Sequence, residues 1–160
     1  MIFTPHPYQA YCINRVISDS ALMLMLDMGL GKTVICLTAI QDLMYNRFCV
    51  GRVLVIAPKK VAESTWCKEA GKWDHLKNLR FSLVLGSTQK RVRALNTPAD
   101  IWVINRDNVQ WLCDYYANEW PFDMVIVDES TSFKNHNAKR WKSLKRVMPR
   151  VRRVVELTGT

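Results

Sequence analysis

A glycine-rich segment at residues 27–33, with the sequence DMGLGKT, has the residue types of a phosphate-binding loop. Gly29 and Gly31 allow the backbone to curl so that successive N–H groups converge on phosphate oxygens. Lys32 would reach the β- and γ-phosphates of a nucleotide, and the Thr33 hydroxyl would coordinate magnesium. An apolar run precedes the segment and a helical pattern follows it, which is the usual strand–loop–helix context of such loops.

The segment departs from the full GxxxxGK(S/T) pattern, because Leu26 stands where the first glycine belongs. An incidental glycine turn between a strand and a helix is therefore an alternative. The strand–loop–helix context of GKT favours the phosphate-binding interpretation over that turn.

Two adjacent acids, Asp128 and Glu129, end an apolar run in the segment VIVDES. At the carboxyl end of a buried strand, Asp128 would hold magnesium directly or through water. Glu129 would orient or deprotonate an attacking water. A pair of surface acids after a strand is a common alternative, but the glycine-rich loop upstream favours hydrolysis of a nucleotide.

Apolar runs rich in Val, Ile and Leu alternate with longer segments of helical periodicity. Unbroken apolar strands are typical of a sheet covered on both faces, and the alternation predicts an α/β fold with a mainly parallel sheet and right-handed crossovers. The predicted strands are residues 22–26, 52–57, 81–85, 101–105, 124–127 and 153–157, and the predicted helices are residues 8–17, 33–46, 61–72, 89–96, 107–117 and 137–148.

The composition bounds the protein class. A chain of 160 residues is long enough for one domain, and its longest purely apolar run, residues 21–26, is far shorter than the roughly 20 residues of a membrane span. No signal segment opens the chain, so the default expectation is a cytoplasmic location.

The five cysteines are scattered and form no CxxC pair, which predicts buried thiols in a reducing compartment. The three histidines are isolated, so no zinc site is expected.

The positive charge is concentrated in one segment. The chain has 23 basic and 14 acidic residues, and nine of the bases lie between residues 130 and 155, where there is no acid. Such a block is either a solvated helix face or a surface that meets a polyanion. The solvated face is favoured, with Trp141 and Leu144 on the buried side.

Four segments, in order, resemble motifs I, Ia, II and III of superfamily-two helicases: residues 27–33, 53–66, 122–135 and 156–160. The form MGLGKT and the Lys-Asn pair after DES are similar to the Swi/Snf-type branch of DNA-dependent ATPases, especially its phage members. The resemblance covers residues 7–160 and implies a three-layer RecA-like P-loop NTPase fold. It also implies ATP and Mg²⁺ as cofactors, duplex DNA bound without sequence preference, and a location in a bacterial host cell.

The chain departs from the common family pattern at two places. Asp27 stands where glutamate is usual, and DES stands where DEAH is usual. The histidine that would couple motif II to motif III is therefore missing, and the sequence leaves open how the two motifs are connected.

The resemblance assigns roles to particular residues. Lys32 and Glu129 are the predicted catalytic residues, and Thr33 and Asp128 the predicted magnesium ligands. The amide of Gln9 offers a donor and an acceptor that suit the adenine edge, although a polar residue in the first turn of a helix is nearly as good an explanation. The full nucleotide-binding set is Tyr8, Gln9, Met28, Gly29, Leu30, Gly31, Lys32 and Thr33.

Two further sets are implied by the same resemblance. One set holds the phosphate backbone of DNA without reading bases, and it consists of Pro58, Lys59, Lys60, Gly86, Ser87, Asn105 and Arg106. The other couples the nucleotide site to the DNA groove, and it consists of Thr158, Gly159 and Thr160. Trp66, at the end of motif Ia, is predicted to be a core anchor rather than a stacking platform.

Three functions remain open from the sequence. The favoured one is the ATP-binding lobe of a DNA translocase, residues 1–160 being a single lobe of a longer protein whose second lobe supplies an arginine. A P-loop small-molecule kinase would also carry GKT and an acidic strand end, but it would not need the APKK and LTGT segments. A nucleic-acid-binding module without turnover is supported only by the charge. Motif III must lie close to both the nucleotide and motif II to couple them, which predicts that residues 154–157 lie between the strand of the glycine-rich loop, residues 22–26, and the strand at 124–127.

Overall fold

The computed structural model describes residues 1–136 and 138–159, and their centre is a parallel β-sheet. The six strands of this part are β1 Ala21–Met25, β2 Val53–Ala57, β3 Phe81–Val84, β4 Ile101–Asn105, β5 Met124–Val127 and β6 Arg153–Thr158. They lie in the order β1-β6-β5-β2-β4-β3, and every neighbouring pair is parallel. The prediction that the last strand lies between the strand of the glycine-rich loop and that of Asp128 is confirmed.

Helices cover both faces of the sheet. They are α1 Pro7–Ser18, α2 Lys32–Tyr45, α3 Trp66–Lys72, α4 Thr88–Leu95, α5 Val109–Tyr116, α6 Ser130–His136 and α7 Ala138–Val147. A π-helical turn, Val61–Thr65, leads into α3, and short 3₁₀ turns lie at Asp74–Leu76, Arg106–Asn108, Ala117–Glu119 and Met148–Arg150. The predicted α/β fold with helices on both faces of a mainly parallel sheet is confirmed.

Two hydrophobic cores form because successive strand residues point to opposite faces. On one face, Val53, Val55 and Ala57 of β2 pack with α1, α2 and α3. On the other face, Leu54 and Ile56 of the same strand pack with α5, α6 and α7. All residues of β2, β4 and β5 are buried, as the unbroken apolar runs predict.

The predicted strands match the observed ones to within one residue at each end, but three helical segments differ. Helix α6 was not predicted, since the polar sequence STSFKN hides its one large apolar residue, Phe133. The predicted helix at 61–72 begins with the π-helical turn, and the predicted helix at 107–117 begins within a 3₁₀ turn. The predicted start of the last helix, Asn137, lies outside the described residues.

The prediction of buried cysteines is correct for three positions and wrong for two. Cys12, Cys36 and Cys113 are buried. Cys49 is exposed because it lies in the loop after α2, and Cys67 is half-buried because it faces away from the core at the start of α3. Burial raises the pKa of the Cys113 thiol to about 12, so this side chain behaves as an apolar group.

The basic segment lies largely on one exposed helix face. Leu144 of α7 is fully buried, as predicted, and Trp141 is half-buried against Phe133. Lys139, Lys142 and Lys145 are exposed on the same helix, which agrees with the predicted solvated face. Within the described residues, no helix is both long and apolar enough to cross a membrane.

Phe133 anchors α6 and therefore the segment after Asp128. We expect Phe133→Ala to lower the free energy of unfolding by about 3–5 kcal/mol, because the residue is fully buried. Phe48→Ala is the matched control, since Phe48 is 80% exposed and its loss should cost less than about 0.5 kcal/mol. Urea unfolding followed by circular dichroism measures both, and equal losses in the two variants would contradict the anchoring role.

Candidate nucleotide site

The glycine-rich loop connects β1 to α2 and depends on its two glycines. Gly29 and Gly31 have φ angles of +83° and +87°, in the left-handed region that favours glycine. A Cβ on Gly31 would lie 2.6 Å from Nε2 of Gln9, so a side chain there would displace the Gln9 amide. The loop therefore brings its backbone close to the N-terminus of the 14-residue helix α2, whose positive dipole end favours anions.

Lys32 is the first residue of α2, and its ammonium group turns back over the loop. Nζ of Lys32 donates a hydrogen bond to the carbonyl oxygen of Leu26 at 3.1 Å. A Cβ on Gly159, at the end of β6, would lie 3.5 Å from the same Nζ. The positive charge is thus held between the ends of β1 and β6, where the predicted phosphate site lies.

Tyr8 and Gln9 attach α1 to the loop. Oη of Tyr8 donates to the carbonyl oxygen of Leu30 at 2.8 Å, and Nε2 of Gln9 donates to the same oxygen at 3.2 Å. Oε1 of Gln9 accepts a hydrogen bond from the backbone N–H of His6 at 2.9 Å. These bonds use one N–H and one oxygen lone pair of the Gln9 amide, which has a second of each. The contact of Gln9 with adenine stays a prediction.

Asp128 lies at the carboxyl end of β5 and is half-buried. Its backbone N–H donates to the carbonyl oxygen of Ile56 at 2.8 Å, and its Oδ2 accepts a hydrogen bond from Nε1 of Trp66 at 3.1 Å. Burial raises the pKa of the Asp128 carboxyl above its ordinary value, and the charge of Glu129 adds to this effect. The hydrogen bond from Trp66 and the charge of Lys32 act in the opposite direction.

Trp66 is fully buried, which confirms the prediction that it anchors the core. Its hydrogen bond to Asp128 was not predicted. The two residues lie 62 positions apart in the chain, and no local pattern of residues reports a contact of that separation.

Glu129 adopts a strained backbone conformation at the predicted catalytic position. Its φ is +53°, which is unfavourable for a residue with a side chain and recurs at functional sites. The side chain is exposed, and the carbonyl oxygen of Glu129 accepts the N–H of Phe133 at 3.1 Å at the start of α6. This backbone conformation directs the chain from the buried strand β5 into helix α6 over a short distance, and it leaves the Glu129 side chain exposed to solvent.

Side chains of motif II and motif III are joined by a pair of threonine hydroxyls and by the ion pair of Lys134 with Glu156 at 2.6 Å. Oγ1 of Thr131, in α6, lies 2.9 Å from Oγ1 of Thr158, at the end of β6. The carbonyl oxygen of Thr158 accepts the N–H of Leu26 at 3.2 Å, so the same residue is bonded to the start of the glycine-rich loop. Thr131 occupies the place of the missing histidine in DEST, which is the signal that could have identified it. Thr160, also predicted to couple the two sites, lies outside the described residues.

The loops predicted to hold DNA lie together after β2, β3 and β4, which are neighbours in the sheet. An open cleft of about 640 Å³ runs between these loops. The residues lining it include Lys59, Gly86 and Asn105 from the predicted set. Two bases and two acids that the motifs do not single out also line it, namely Lys90, Arg91, Glu63 and Asp107. Pro58 is half-buried, and Lys60 and Ser87 are exposed at the same loops.

The side chains of Asn105 and Arg106, both in the predicted DNA set, are hydrogen-bonded to other side chains of the protein. Asn105 is buried, and its Oδ1 accepts a hydrogen bond from Nδ2 of Asn108 at 2.7 Å. Arg106 is half-buried and donates from Nη1 to Oγ of Ser132 in α6 at 3.0 Å. The loop after β4 is therefore joined to the segment that follows Asp128.

Both predicted sites lie at the carboxyl edge of one sheet. Lys32 and Asp128 follow the ends of β1 and β5, Thr158 is the last residue of β6, and residues at the ends of β2, β3 and β4 line the cleft. Ligands of open α/β sheets bind at this edge. The glycine-rich loop and a cleft lined by both basic and acidic side chains therefore lie along the same edge of the sheet.

Comparison with known protein families decides the class of protein. The profile of the SNF2-related domain matches residues 9–160. The chain belongs to the SNF2-related domain family. The resemblance to the Swi/Snf-type branch that the four motifs indicate is therefore confirmed.

Individual relatives of this SNF2-related domain include phage and animal proteins. Protein p41 of Acyrthosiphon pisum secondary endosymbiont phage 1 is 40% identical over 164 residues, which cover 99% of this chain and 36% of p41. The human DNA excision repair protein ERCC-6-like is 32% identical over 142 residues, covering 84% of this chain and 11% of that protein. The chain thus spans about a third or less of these relatives.

Two solved structures share the fold of the SNF2-related domain. The SWI2/SNF2 ATPase core of Sulfolobus solfataricus in complex with dsDNA aligns with a TM-score of 0.77 at 23% identity, over 99% of this chain and 32% of that one. The UvsW helicase of bacteriophage T4 aligns with a TM-score of 0.76 at 16% identity, over 99% of this chain and 53% of that one. The predicted RecA-like architecture is confirmed.

The Thr131–Thr158 contact predicts a measurable coupling of two distant segments. We expect Thr131→Val and Thr158→Val to show a coupling free energy of about 0.5–1.5 kcal/mol in a double-mutant cycle on unfolding, because each valine keeps the shape and removes one hydroxyl. Thr131→Val paired with Thr38→Val is the control, since Thr38 contacts His75 instead. Strict additivity of the first pair would contradict the contact.

Proposed function

We propose that this chain is the ATP-binding lobe of a Swi/Snf-type superfamily-two ATPase that couples ATP hydrolysis to movement on DNA. The observation that carries the proposal is that Lys32, Asp128 and Glu129 lie along the same carboxyl edge of the sheet as the cleft. Membership of the SNF2-related domain family supports the same function.

The residues at the loop fit ATP and Mg²⁺. The left-handed glycines and the N-terminus of α2 suit a triphosphate. The hydroxyl of Thr33 and the carboxylate of Asp128 are oxygen donors of the kind that Mg²⁺ prefers. When bound, the ion would neutralise charge that develops on the phosphates. Met28 and Leu30 would contribute backbone groups to the same loop.

Residues of this chain are proposed to bind the phosphates and the base and to activate the attacking water. Lys32 would hold the β- and γ-phosphates, and Glu129, exposed beside Asp128, would orient the attacking water and take its proton. Tyr8 and Gln9 fix α1 against the loop and would face the base. The hydroxyl pair of Thr131 and Thr158, with the neighbouring Gly159, would relay the state of the nucleotide to the rest of the sheet edge.

DNA is proposed to lie along the cleft through its phosphate backbone. Lys59, Lys60 and the loop amides near Gly86 and Ser87 would contact phosphates and position the strand without reading bases. Arg106 and Asn105 would act by holding the third loop, because both are bonded within the protein. The formal net charge of +9 supports a polyanionic partner, proposed to be duplex DNA.

We further propose that residues 1–160 form a single lobe and that a second RecA-like lobe of the same protein completes the ATP site. In related phosphoryl-transfer systems an arginine from elsewhere accounts for roughly 10³ to 10⁵ of the rate. The chain spans 36% of the phage relative p41, which leaves room in such proteins for another lobe. The cytoplasm of a bacterial host is the proposed location, since the relative p41 comes from a phage.

A second candidate function is nucleic-acid binding without turnover by these residues alone. The exposed lysines of α7 and the charge of +9 favour it. The two candidates differ in whether the protein with both lobes hydrolyses ATP, so a phosphate-release assay on that protein separates them. A small-molecule kinase is disfavoured by membership of the SNF2-related domain family.

The first test concerns nucleotide binding. We expect Lys32→Ala to weaken ATP binding by roughly ten- to a hundredfold, because a charge-assisted contact to phosphate is lost. Binding by this variant should then no longer be measurable. Lys142→Ala, at an exposed position of α7, is the charge-matched control and should bind like the unchanged chain. Titration with a fluorescent ATP analogue measures both, and unchanged binding by Lys32→Ala would refute the assignment of the loop.

The second test concerns turnover and DNA. We expect the 160-residue chain to bind duplex DNA weakly, with an affinity that falls steeply with salt, and to release almost no phosphate from ATP. The protein with both lobes should show DNA-stimulated hydrolysis, and Glu129→Gln should remove it while ATP stays bound. Brisk DNA-stimulated hydrolysis by residues 1–160 alone would contradict the two-lobe mechanism.

A further inference from the structure

Trp66 has a polar contact that its role in the core does not require. The side chain is fully buried, and its single N–H donates to Oδ2 of Asp128 at 3.1 Å. A phenyl ring would also fill apolar space at the start of α3, but it could not donate this bond. The indole N–H is therefore directed at one acceptor, the half-buried carboxylate at the end of β5.

The path from Trp66 back along the chain leads to the cleft. The π-helical turn Val61–Thr65 directly precedes Trp66, and the N–H of Ala62 donates to the carbonyl oxygen of Pro58 at 2.8 Å. Lys59 and Lys60 lie within this hydrogen-bonded unit, and Lys59 lines the cleft. π-helical turns are rare and occur frequently at functional sites. The segment from Pro58 to Trp66 thus has a residue of the cleft, Lys59, near its start and the indole of Trp66 at its end.

The hydrogen bond orients the carboxylate of Asp128 and leaves its other lone pairs available. A carboxylate has two oxygens and about four lone pairs, so one bond to Oδ2 fixes the plane of the group and leaves it able to serve a metal ion or its water. Partners that orient a metal-binding carboxylate typically change metal affinity by about ten- to a hundredfold when they are removed. Charge-assisted bonds of this kind are also stronger than neutral ones.

We propose that Trp66 is a positioning residue for the magnesium–nucleotide site, which it supports by holding the carboxylate of Asp128 through its indole N–H. The inference rests on the proposed function, because it assigns Asp128 to the magnesium ion. It links the segment of Pro58, Lys59 and Lys60 to the proposed metal-binding carboxylate through the π-helical turn and Trp66.

The chain offers a matched control for this contact. Trp73 follows α3, is half-buried, and donates its indole N–H to Oε1 of Glu69 at 2.9 Å. The same substitution at Trp66 and Trp73 therefore removes the same type of hydrogen bond from tryptophan to carboxylate. Only the first of these bonds involves a residue of the candidate site.

The experiment measures binding of a fluorescent ATP analogue to the 160-residue chain, in magnesium and in EDTA. We expect Trp66→Phe to lower the affinity in magnesium by roughly tenfold and to raise the Mg²⁺ concentration needed for half-maximal binding, with little change in EDTA. Trp73→Phe should leave both affinities unchanged. In the background of Asp128→Asn, Trp66→Phe should have no further effect on the magnesium-dependent part.

Other outcomes overturn the inference. Equal losses of affinity in magnesium and in EDTA would show a packing role only, and an unchanged Mg²⁺ dependence would show that the bond does not serve the site. If Trp66→Phe does not fold, replacement of the indole by benzothienylalanine, which exchanges N–H for sulfur in a ring of similar shape, provides the same comparison. Failure of the unchanged chain to bind the analogue at all would refute the proposed function instead.

Discussion

The burial of both faces of the parallel sheet is the constraint on which the rest of this structure depends. Helices cover each face, and all residues of β2, β4 and β5 are buried. Polar side chains therefore gather where the strands end and the loops begin. Because every strand runs in the same direction, the residues that follow β1, β5 and β6 meet those that follow β2, β3 and β4 along one edge. Proximity of the two sites is thus a result of strand direction.

The candidate site is maintained at a cost to stability. Asp128 is half-buried with a raised pKa, so the folded state binds its proton more tightly than the unfolded chain does. Stability then falls as the pH rises through the range in which this carboxyl ionises. The left-handed backbone at Glu129 adds strain of the order of 1–3 kcal/mol. Such costs are common where binding and catalysis, rather than packing, determine the residue.

The sequence predicts this architecture well because its determinants are local. Continuous apolar runs identify the strands, and the need for motif III to lie close to both the nucleotide and motif II identifies the neighbours of β6. Sequence patterns miss contacts between residues that are far apart in the chain, and they miss a helix whose one large apolar residue stands among polar ones. Helix α6 is held by a single buried phenylalanine within a polar segment, and the bonds from Trp66 to Asp128 and from Thr131 to Thr158 join residues far apart in the chain. Tertiary packing decides such contacts, and no periodicity encodes them.

The π-helical turn before α3 also determines where the chain tolerates a change of length. A π-helical turn bonds residue i to residue i+5, so it contains one residue more than the corresponding α-helical turn. Because each of these turns closes one turn of helix, an α-helical turn can absorb the loss of one residue from Val61–Thr65 and leave Trp66 facing β5. A deletion within the regular helix α3 has no extra residue to absorb it and would rotate every later side chain by about 100°. The π-helical turn is therefore a place where homologues can differ in length by one residue and still keep the indole–carboxylate bond.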